Sequence, residues 1–161
     1  MAIRRAEERD SADVFQLVQA FATSFAVEQS AFERAFAELL FHSEAFVAVA
    51  EINGKVAGCV LGFEHMTFFA NGRTAWVEEI TVGEVHRRLG IGRLLMEAFE
   101  AWAMERNVKV IALATRRAAS FYEALAYEES AVYFRKVLPE TRAQFRERIP
   151  GLLRSDCLEQ T

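Results

Sequence analysis

Cysteine and proline are scarce in this chain, and each shortage excludes a class of protein. Only two cysteines, Cys59 and Cys157, and two prolines occur in 161 residues. Two isolated cysteines provide neither a disulfide framework nor the spacing of a metal site. The three histidines are scattered, so the sequence predicts no metal. With few prolines and only eight glycines, the composition argues against long disordered stretches.

Long apolar runs and an excess of basic residues are also missing. No stretch of about 18 apolar residues is present, so the sequence predicts no membrane span. The N-terminus, MAIRRAEERD, is charged and lacks the apolar core of a secretory signal. The net charge of −4 argues against nucleic acid as the main partner, because nucleic-acid-binding proteins usually carry a basic face. These absences predict a reduced, cytoplasmic, enzyme-sized domain.

Apolar residues make up 52% of the chain, which is enough for one sizeable core. Their periodicity predicts a mixed α/β domain with the element order β, α, α, β, β, β, α, β, α, β. The predicted strands are 2–5, 45–52, 55–63, 74–82, 108–114 and 128–137, and the predicted helices are 10–25, 30–42, 90–106 and 117–125. Apolar residues after position 139 predict one more helix.

Three local patterns sharpen this outline. Ser30 and Glu33 have the spacing of a capping box that opens the second helix. Asn53-Gly54 stands between two apolar runs and is a strong signal for a two-residue hairpin turn. The run 108–114, VKVIALA, is nearly all apolar, which predicts a central strand buried on both faces.

The most informative stretch is VGEVHRRLGIGRLL, residues 82–95. A glycine lets a ligand approach the backbone closely and permits a positive φ. The first N–H groups of a helix lack internal partners and carry the positive end of its dipole. A helix that begins near Gly90 and Gly92 therefore predicts a phosphate site, to which nearby arginines add charged donors. A tight strand-to-helix turn with exposed arginines explains the pattern equally well, and neither a P-loop nor a dinucleotide fingerprint is present.

Arg87-Arg88-Leu89-Gly90-Ile91-Gly92 resembles the R/Q-x-x-G-x-G/A motif of the GNAT acetyltransferases. Further along, TRRAASFYEALAY at 115–127 stands in the register of that family's N-x-x-A-x-x-F-Y-E-x-x-G-F pattern. Thr115 replaces the usual Asn, and Ala126 replaces the usual Gly. The likeness covers roughly residues 1–138, and the chain is identified on these motifs as a member of the superfamily.

The resemblance implies the GNAT fold for a domain at 1–138. That fold is a mixed, mostly antiparallel sheet of six to seven strands flanked by about four helices. Residues 139–161 then form a C-terminal extension, with an extra helix, that we expect to carry association or lid contacts. A homodimer is compatible with this expectation.

The resemblance also implies acetyl-CoA as the co-substrate. In this family the pyrophosphate rests on backbone N–H groups of the glycine turn. The pantetheine arm lies beside the preceding strand and bonds to its main chain. Carried over residue by residue, the predicted cofactor contacts are Ile80, Thr81, Val82, Arg87, Arg88, Leu89, Gly90, Ile91, Gly92, Arg93, Thr115 and Ala118.

Acetyl transfer to an amine needs a neutral amine, a donor to the oxyanion and a proton for the leaving thiolate. The family register places Tyr122 where a tyrosine lies near the CoA sulfur, so Tyr122 is the candidate acid. The alternative is that Tyr122 is simply a core aromatic. The expected oxyanion donor is a main-chain N–H near Val82.

Glu78 and Glu79 form an unusual acidic pair within a strand and are the candidate bases. Successive strand residues face opposite sides, unless a bulge disturbs the alternation. Some polyamine-type relatives carry such a pair. In those relatives the position of Glu78 looks like a base that acts through water, and the position of Glu79 helps bind the amine. Solvated surface charges are the alternative, and His65 is a rival base.

The acceptor pocket is expected between the first two helices and the loop at 66–73. Seven phenylalanines are candidates either for this pocket or for the core, where such residues more often lie: Phe15, Phe21, Phe25, Phe32, Phe36, Phe68 and Phe69. The predicted function is transfer of an acetyl group from acetyl-CoA to a primary amine, by direct attack in a ternary complex. A non-catalytic acyl-CoA-binding sensor or interaction module on the same fold is the alternative, and a longer acyl group is a third. Neither nucleic acid nor a membrane is expected as a partner.

Overall fold

The structure is a computed structural model, and it describes residues 1–21 and 26–138. The chain divides into two compact units, Met1–Glu128 and Glu129–Thr161. The strands are β1 (Ala2–Arg5), β2 (Ala45–Ile52), β3 (Lys55–Thr67), β4 (Gly72–Val82) and β5 (Val108–Leu113). The helices are α1 (Ser11–Phe21), α2 (Gln29–Phe41), α3 (Ile91–Glu105) and α4 (Ala119–Glu123). Short 3₁₀ turns at Glu8–Asp10 and Glu84–His86 precede α1 and α3.

The five strands form one sheet in the order β1-β2-β3-β4-β5. The first four strands pair antiparallel, and β5 pairs parallel to β4. The parallel pair needs a crossover connection, and α3 provides it. This topology confirms the predicted α/β class with a mixed, mostly antiparallel sheet. Among the described helices, none is long and apolar enough to span a membrane.

The predicted count of six to seven strands is not confirmed, because the described residues form five strands. The expected strand at 128–137 does not form. No ladder pairing includes this segment. Val132, Tyr133 and Phe134 are all exposed there. These apolar side chains therefore do not form the buried face of a strand. The predicted C-terminal helix and the extension at 139–161 lie outside the described residues.

β5 is the edge strand of the described sheet and not the central strand that its apolar run predicts. Helix α3 covers one of its faces, where Ile111 packs against the main core. Val110 points the other way and is 45% exposed. Apolar composition identified a strand correctly, but it could not tell coverage of one face from coverage of two.

Two apolar layers hold the sheet between the helices. On one face α3 buries Leu95, Met96 and Phe99 completely. Gly62 on β3 makes this possible, because a Cβ at that position would overlap the Phe99 ring. On the other face α1 and α2 cover a smaller cluster around Val14 of α1.

Local turn chemistry was predicted with mixed success. Asn53 and Gly54 have φ of 51° and 77°, as the predicted hairpin turn requires. The capping box at Ser30 is wrong, because α2 begins earlier and its N-cap is Glu28. The side-chain amide of Gln29 donates instead to Glu33 at 2.9 Å.

Candidate functional site

Beyond Val77, no strand in the described part of the chain pairs with the outer edge of β4, which we call the free edge of β4. β5 ends opposite Val77, whereas β4 continues to Val82. The N–H of Gly83 donates to the carbonyl of Ala57 on β3 at 2.9 Å. Because antiparallel pairs alternate, Ile80 and Val82 direct their main-chain groups away from β3. An extended chain can bind such an edge as an added strand.

The glycine turn that follows β4 ends at the N-terminus of α3. Gly90 is the N-cap of α3, with φ of 79°, and no side chain caps the helix. The position that a Cβ of Gly90 would occupy has no other atom within 4 Å. Among the residues that the structure describes, none fills this space beside the first turn of α3, as an anion site requires. This geometry explains why glycine stands at position 90.

Gly92 is needed for a different reason. A Cβ at this position would lie 3.2 Å from Cζ of Phe121 on α4, which is closer than side chains normally pack. Gly92 thus lets α4 lie against the first turn of α3, while its N–H still belongs to the open helix end. Ile91 is buried in the core and Leu89 is exposed.

The three arginines near the turn do not converge. Arg87 donates through Nε to the Val82 carbonyl at 3.3 Å, so it already lies at the free edge of β4. Arg88 is exposed and has φ of 63°. Arg93 turns away, and its Nη2 donates to the Ala124 carbonyl after α4 at 3.2 Å. Two of the three predicted phosphate donors therefore remain at the turn.

The acidic pair lies at a β-bulge. Leu61 of β3 pairs with Glu79 and the next residue, Gly62, pairs with Val77, so Glu78 is the extra residue. Glu78 is exposed and Glu79 is half-buried. Burial raises the pKa of Glu79, and the Glu78 carboxylate adds to the rise. The bulge thus gives two adjacent carboxyls different surroundings.

Cys59 lies on β3 near the acidic pair and stays a thiol. Burial, with a contribution from the Glu79 carboxylate, raises the pKa of Cys59 to about 12. A thiolate would be needed for nucleophilic chemistry, so this cysteine acts as an apolar core residue.

Tyr122 is carried by α4 at the border of the main core. It is 8% exposed, and burial raises the pKa of its hydroxyl. Its ring lies 5.0 Å from that of Phe121 and 6.0 Å from that of Tyr127. Burial is compatible with a core role and also with a hydroxyl that stays protonated until a thiolate needs its proton.

Thr115 and Ala118 shape the turn between β5 and α4. The Thr115 hydroxyl accepts a hydrogen bond from the Ala118 N–H at 3.1 Å. Thr115 replaces the Asn of the family pattern, and its hydroxyl here has a local task in the turn.

The loop at 66–73 lies far from the other candidate residues. Residues 68–71 connect β3 to β4, and the eleven residues of β4, Gly72–Val82, span about 33 Å at the rise of a strand. His65 is exposed near the same end. Phe68 and Phe69 are exposed, so they belong neither to the core nor to a pocket beside Glu79. The structure thus separates this loop from the predicted acceptor site.

Four of the remaining candidate phenylalanines lie on α1 and α2: Phe15, Phe21, Phe32 and Phe36. Phe32 lies 5.3 Å from Phe15 and 5.6 Å from Phe36, measured between ring centroids. Phe36 is buried in the smaller core and Phe21 is half exposed, while Phe25 lies outside the described residues. These aromatics mainly join the two helices.

One neighbouring contact had no part in the sequence prediction. The Tyr127 hydroxyl donates to Oε1 of Glu100 on α3 at 2.9 Å. Burial, and then this carboxylate, raise the pKa of Tyr127. The sequence did contain a sign of this hydrogen bond, because Tyr127 carries a hydroxyl at a position where the family pattern has Phe.

The outer edge of β4, the N-terminus of α3, the acidic pair and Tyr122 are the groups to which the resemblance assigned cofactor binding and catalysis. The family model described as "Acetyltransferase (GNAT) family" matches residues 12–127. The chain therefore belongs to the GNAT acetyltransferase family. No curated protein sequence matches the chain.

Solved structures have the same fold at low sequence identity. A putative acetyltransferase from Agrobacterium tumefaciens is 21% identical, with a TM-score of 0.77 over 86% of this chain and 100% of that one. Glucosamine-6-phosphate N-acetyltransferase from Arabidopsis thaliana is 20% identical, with a TM-score of 0.76 over 86% and 98%. An aminoglycoside acetyltransferase from an uncultured soil metagenomic sample is 19% identical, with a TM-score of 0.70 over 86% and 96%.

Proposed function

We propose that this chain transfers an acetyl group from acetyl-CoA to a primary amine by direct attack in a ternary complex. Membership of the GNAT family supports acetyl transfer. The observation that carries the proposal is the continuity of two binding features. The free edge of β4 is followed, after the turn at 83–90, by the N-terminus of α3, which no side chain of its N-cap residue caps. This order suits an extended pantetheine arm followed by a pyrophosphate.

The cofactor is held mainly by main-chain groups. Ile80 and Val82 bind the pantetheine arm, with Thr81 between them. The N–H groups at the start of α3 bind the pyrophosphate, and Arg87 and Arg88 supply charged donors. Ile91 and Gly92 contribute main-chain N–H groups to this helix end, because the Ile91 side chain is buried in the core. Leu89, Thr115 and Ala118 shape the walls of the cofactor site, whereas Arg93 bonds to the chain after α4.

The reaction forms a C–N bond and breaks the C–S bond of the thioester. A neutral amine attacks the carbonyl carbon, and a main-chain N–H near Val82 stabilises the oxyanion. The proton lost by the amine goes to the acidic pair, either directly or through water. Tyr122 gives its hydroxyl proton to the leaving thiolate and is reprotonated from solvent. The coenzyme leaves as a free thiol.

Glu78 and Glu79 divide the work of base and ammonium binding. Glu78 is exposed, so water reaches it, and Glu79 is half-buried beside it. Glu78→Gln should lower kcat/KM most at low pH, where more of the amine is protonated. Glu79→Gln should mainly raise KM for the amine, because it removes binding that ground and transition states share. Equal, small effects at every pH would make both residues surface charges and direct the search to His65 or water.

The test mixes the full-length chain, acetyl-CoA and a panel of amines, and follows the release of free thiol. The panel contains alkyl amines, peptide amines and amino sugars, because two structural neighbours are named for amino-sugar acceptors. Thiol release that depends on one class of amine, with its acetylated product found by mass spectrometry, supports the proposal. Coenzyme binding without thiol release across the panel would favour a non-catalytic acyl-CoA-binding module.

A further inference from the structure

Two polar contacts join α3 to the segment that carries Tyr122. This segment, which we call the α4 segment, is residues 119–127 and consists of α4 and the turn that follows it. Near its middle the Ala124 carbonyl accepts a hydrogen bond from Arg93 Nη2 at 3.2 Å. At its end the Tyr127 hydroxyl donates to Glu100 Oε1 at 2.9 Å. Both contacts follow Tyr122 in the chain, because Ala124 is the C-cap of α4 and Tyr127 ends the turn after it.

Arg93 and Glu100 are spaced on α3 so that they can hold the α4 segment together, and we call this pair of contacts the clamp. Positions 93 and 100 are seven residues apart, so they lie on one face of the helix, about 10 Å apart along its axis. Met96 lies between them on α3 and shares a buried apolar cluster with Tyr122. Tyr122 therefore belongs to the apolar cluster that this helix face buries, and the two polar contacts hold the chain just after it.

The α4 segment has little stability of its own. Helix α4 contains only five residues, which is far below the length at which an isolated helix forms in water. The turn after it places Ala126 at φ of 65°, a left-handed conformation that is unfavourable for a residue with a Cβ. The position of this segment therefore depends on its contacts with the rest of the domain, which are apolar packing in the main core and the two polar contacts with α3.

We propose that Arg93 and Glu100 are positioning residues that fix the α4 segment and with it the Tyr122 hydroxyl. This inference rests on the proposed function, in which Tyr122 protonates the thiolate. It changes the role of Arg93, which the glycine-turn pattern assigned to phosphate binding. Glu100 acts through Tyr127, and neither Arg93 nor Glu100 touches the reacting atoms.

The first test does not depend on activity. Amide hydrogen exchange of the full-length chain is followed for the hydrogen-bonded amides of residues 121–127. Arg93→Met and Tyr127→Phe should each speed this exchange about fivefold, the change expected when one hydrogen bond of average strength is lost from a local opening unit. Arg93→Lys, which keeps a donor, should restore part of the protection. Arg34→Met, at an exposed position on α2, is the matched control and should change nothing there.

The second test is a double-mutant cycle on turnover. Arg93→Met should lower kcat about tenfold, since small misplacements of a catalytic group are costly, and should leave the affinity for CoA within about twofold of its original value. In a Tyr122→Phe background the same substitution should change kcat less than about twofold, because the group that it positions is already gone.

Three results would overturn the inference. One is unchanged exchange of residues 121–127 in both Arg93→Met and Tyr127→Phe. Another is weaker CoA affinity at unchanged kcat, which would return Arg93 to phosphate binding. The third is an equal loss of kcat with and without the Tyr122 hydroxyl, which would make the effect purely structural. If the unmodified protein releases no thiol, the proposed function fails, while the exchange experiment still decides whether the clamp exists.

Discussion

Glu78 and Glu79 are adjacent in the sequence but differ in their surroundings. The sequence predicts a role for the pair because two adjacent carboxylates are unusual in a strand. It also predicts that a β-bulge would disturb the alternation of side chains between the two faces of the sheet. The register of β3 and β4 contains that bulge. Their relative burial depended on tertiary packing and could not be read from two identical side chains. The resulting difference between the two carboxyls can be measured in stability.

Glu79→Gln should stabilise the protein at neutral pH. The pKa of Glu79 is raised in the folded state by burial and by Glu78. The folded state therefore binds this proton more tightly than the unfolded chain, and stability falls as pH rises above the unfolded value of about 4.3. Gln removes the buried charge, so Tm should rise at pH 7.5 and differ little at pH 4.

The control for this prediction is Glu78→Gln, which removes an exposed carboxyl from the neighbouring position. We expect it to change Tm less than Glu79→Gln at pH 7.5. Thermal unfolding of both variants at the two pH values checks the prediction. A Tm gain for Glu79→Gln that is as large at pH 4 as at pH 7.5 would mean that the charge is not its cause.

The end of α4 illustrates how elements are specified. The Tyr127 N–H donates to the Tyr122 carbonyl at 3.0 Å and the Ala126 N–H to the Glu123 carbonyl at 2.9 Å. These two bonds form a Schellman motif, in which the left-handed position normally holds glycine. Here that position is Ala126. The departure from the family pattern therefore has a conformational cost.

Ala126→Gly should stabilise the protein by about 1 kcal/mol, because glycine adopts the left-handed region without a steric penalty. Ala124→Gly is the matched control, since Ala124 has φ of −67° in the right-handed region. It should be neutral or destabilising. Urea unfolding of both variants measures the difference. A stability gain at both positions, or at neither, would contradict the assignment of this turn.

The sequence predicted the strands and helices well where periodicity and turn residues agreed, as at Asn53-Gly54. It failed where the structure of a segment depended on the elements that pack against it. The capping box at Ser30 was wrong because α2 begins earlier. The central placement of β5 was wrong because an apolar run does not say which faces are covered. The conformation of Gly90 could be predicted, because a positive φ favours glycine and the structure has φ of 79° there.

Across the whole molecule, a buried ionic network ties the sheet to the far end of α3. The Glu64 side chain on β3 is fully buried and pairs with both Arg73 and Arg106. Arg73 also reaches Glu44, before β2, at 2.8 Å. This network lies at the end of β4 opposite the glycine turn, so it should affect stability and not cofactor binding.

Glu64→Gln should lower the free energy of unfolding by about 3 kcal/mol, because it leaves two arginines without a buried carboxylate. Glu44→Gln is the control, since this carboxyl pairs with the same Arg73 but its side chain is 46% exposed. It should cost about 1 kcal/mol or less. Urea unfolding measures both values. Equal losses in the two variants would show that burial of Glu64 adds nothing to the network.

The central claim is that acetyl-CoA binds along the edge of β4 with its pyrophosphate at Gly90. Gly54 provides a close control, because Gly54 and Gly90 have φ of 77° and 79° and open space where a Cβ would lie. The decisive measurement is calorimetric titration of acetyl-CoA into the unmodified chain, Gly90→Val and Gly54→Val. We predict binding to the unmodified chain and to Gly54→Val, and a loss of at least about tenfold in affinity for Gly90→Val, because its side chain blocks the phosphate and strains the turn. No binding to the unmodified chain, or equal affinity in both folded variants, would contradict the account.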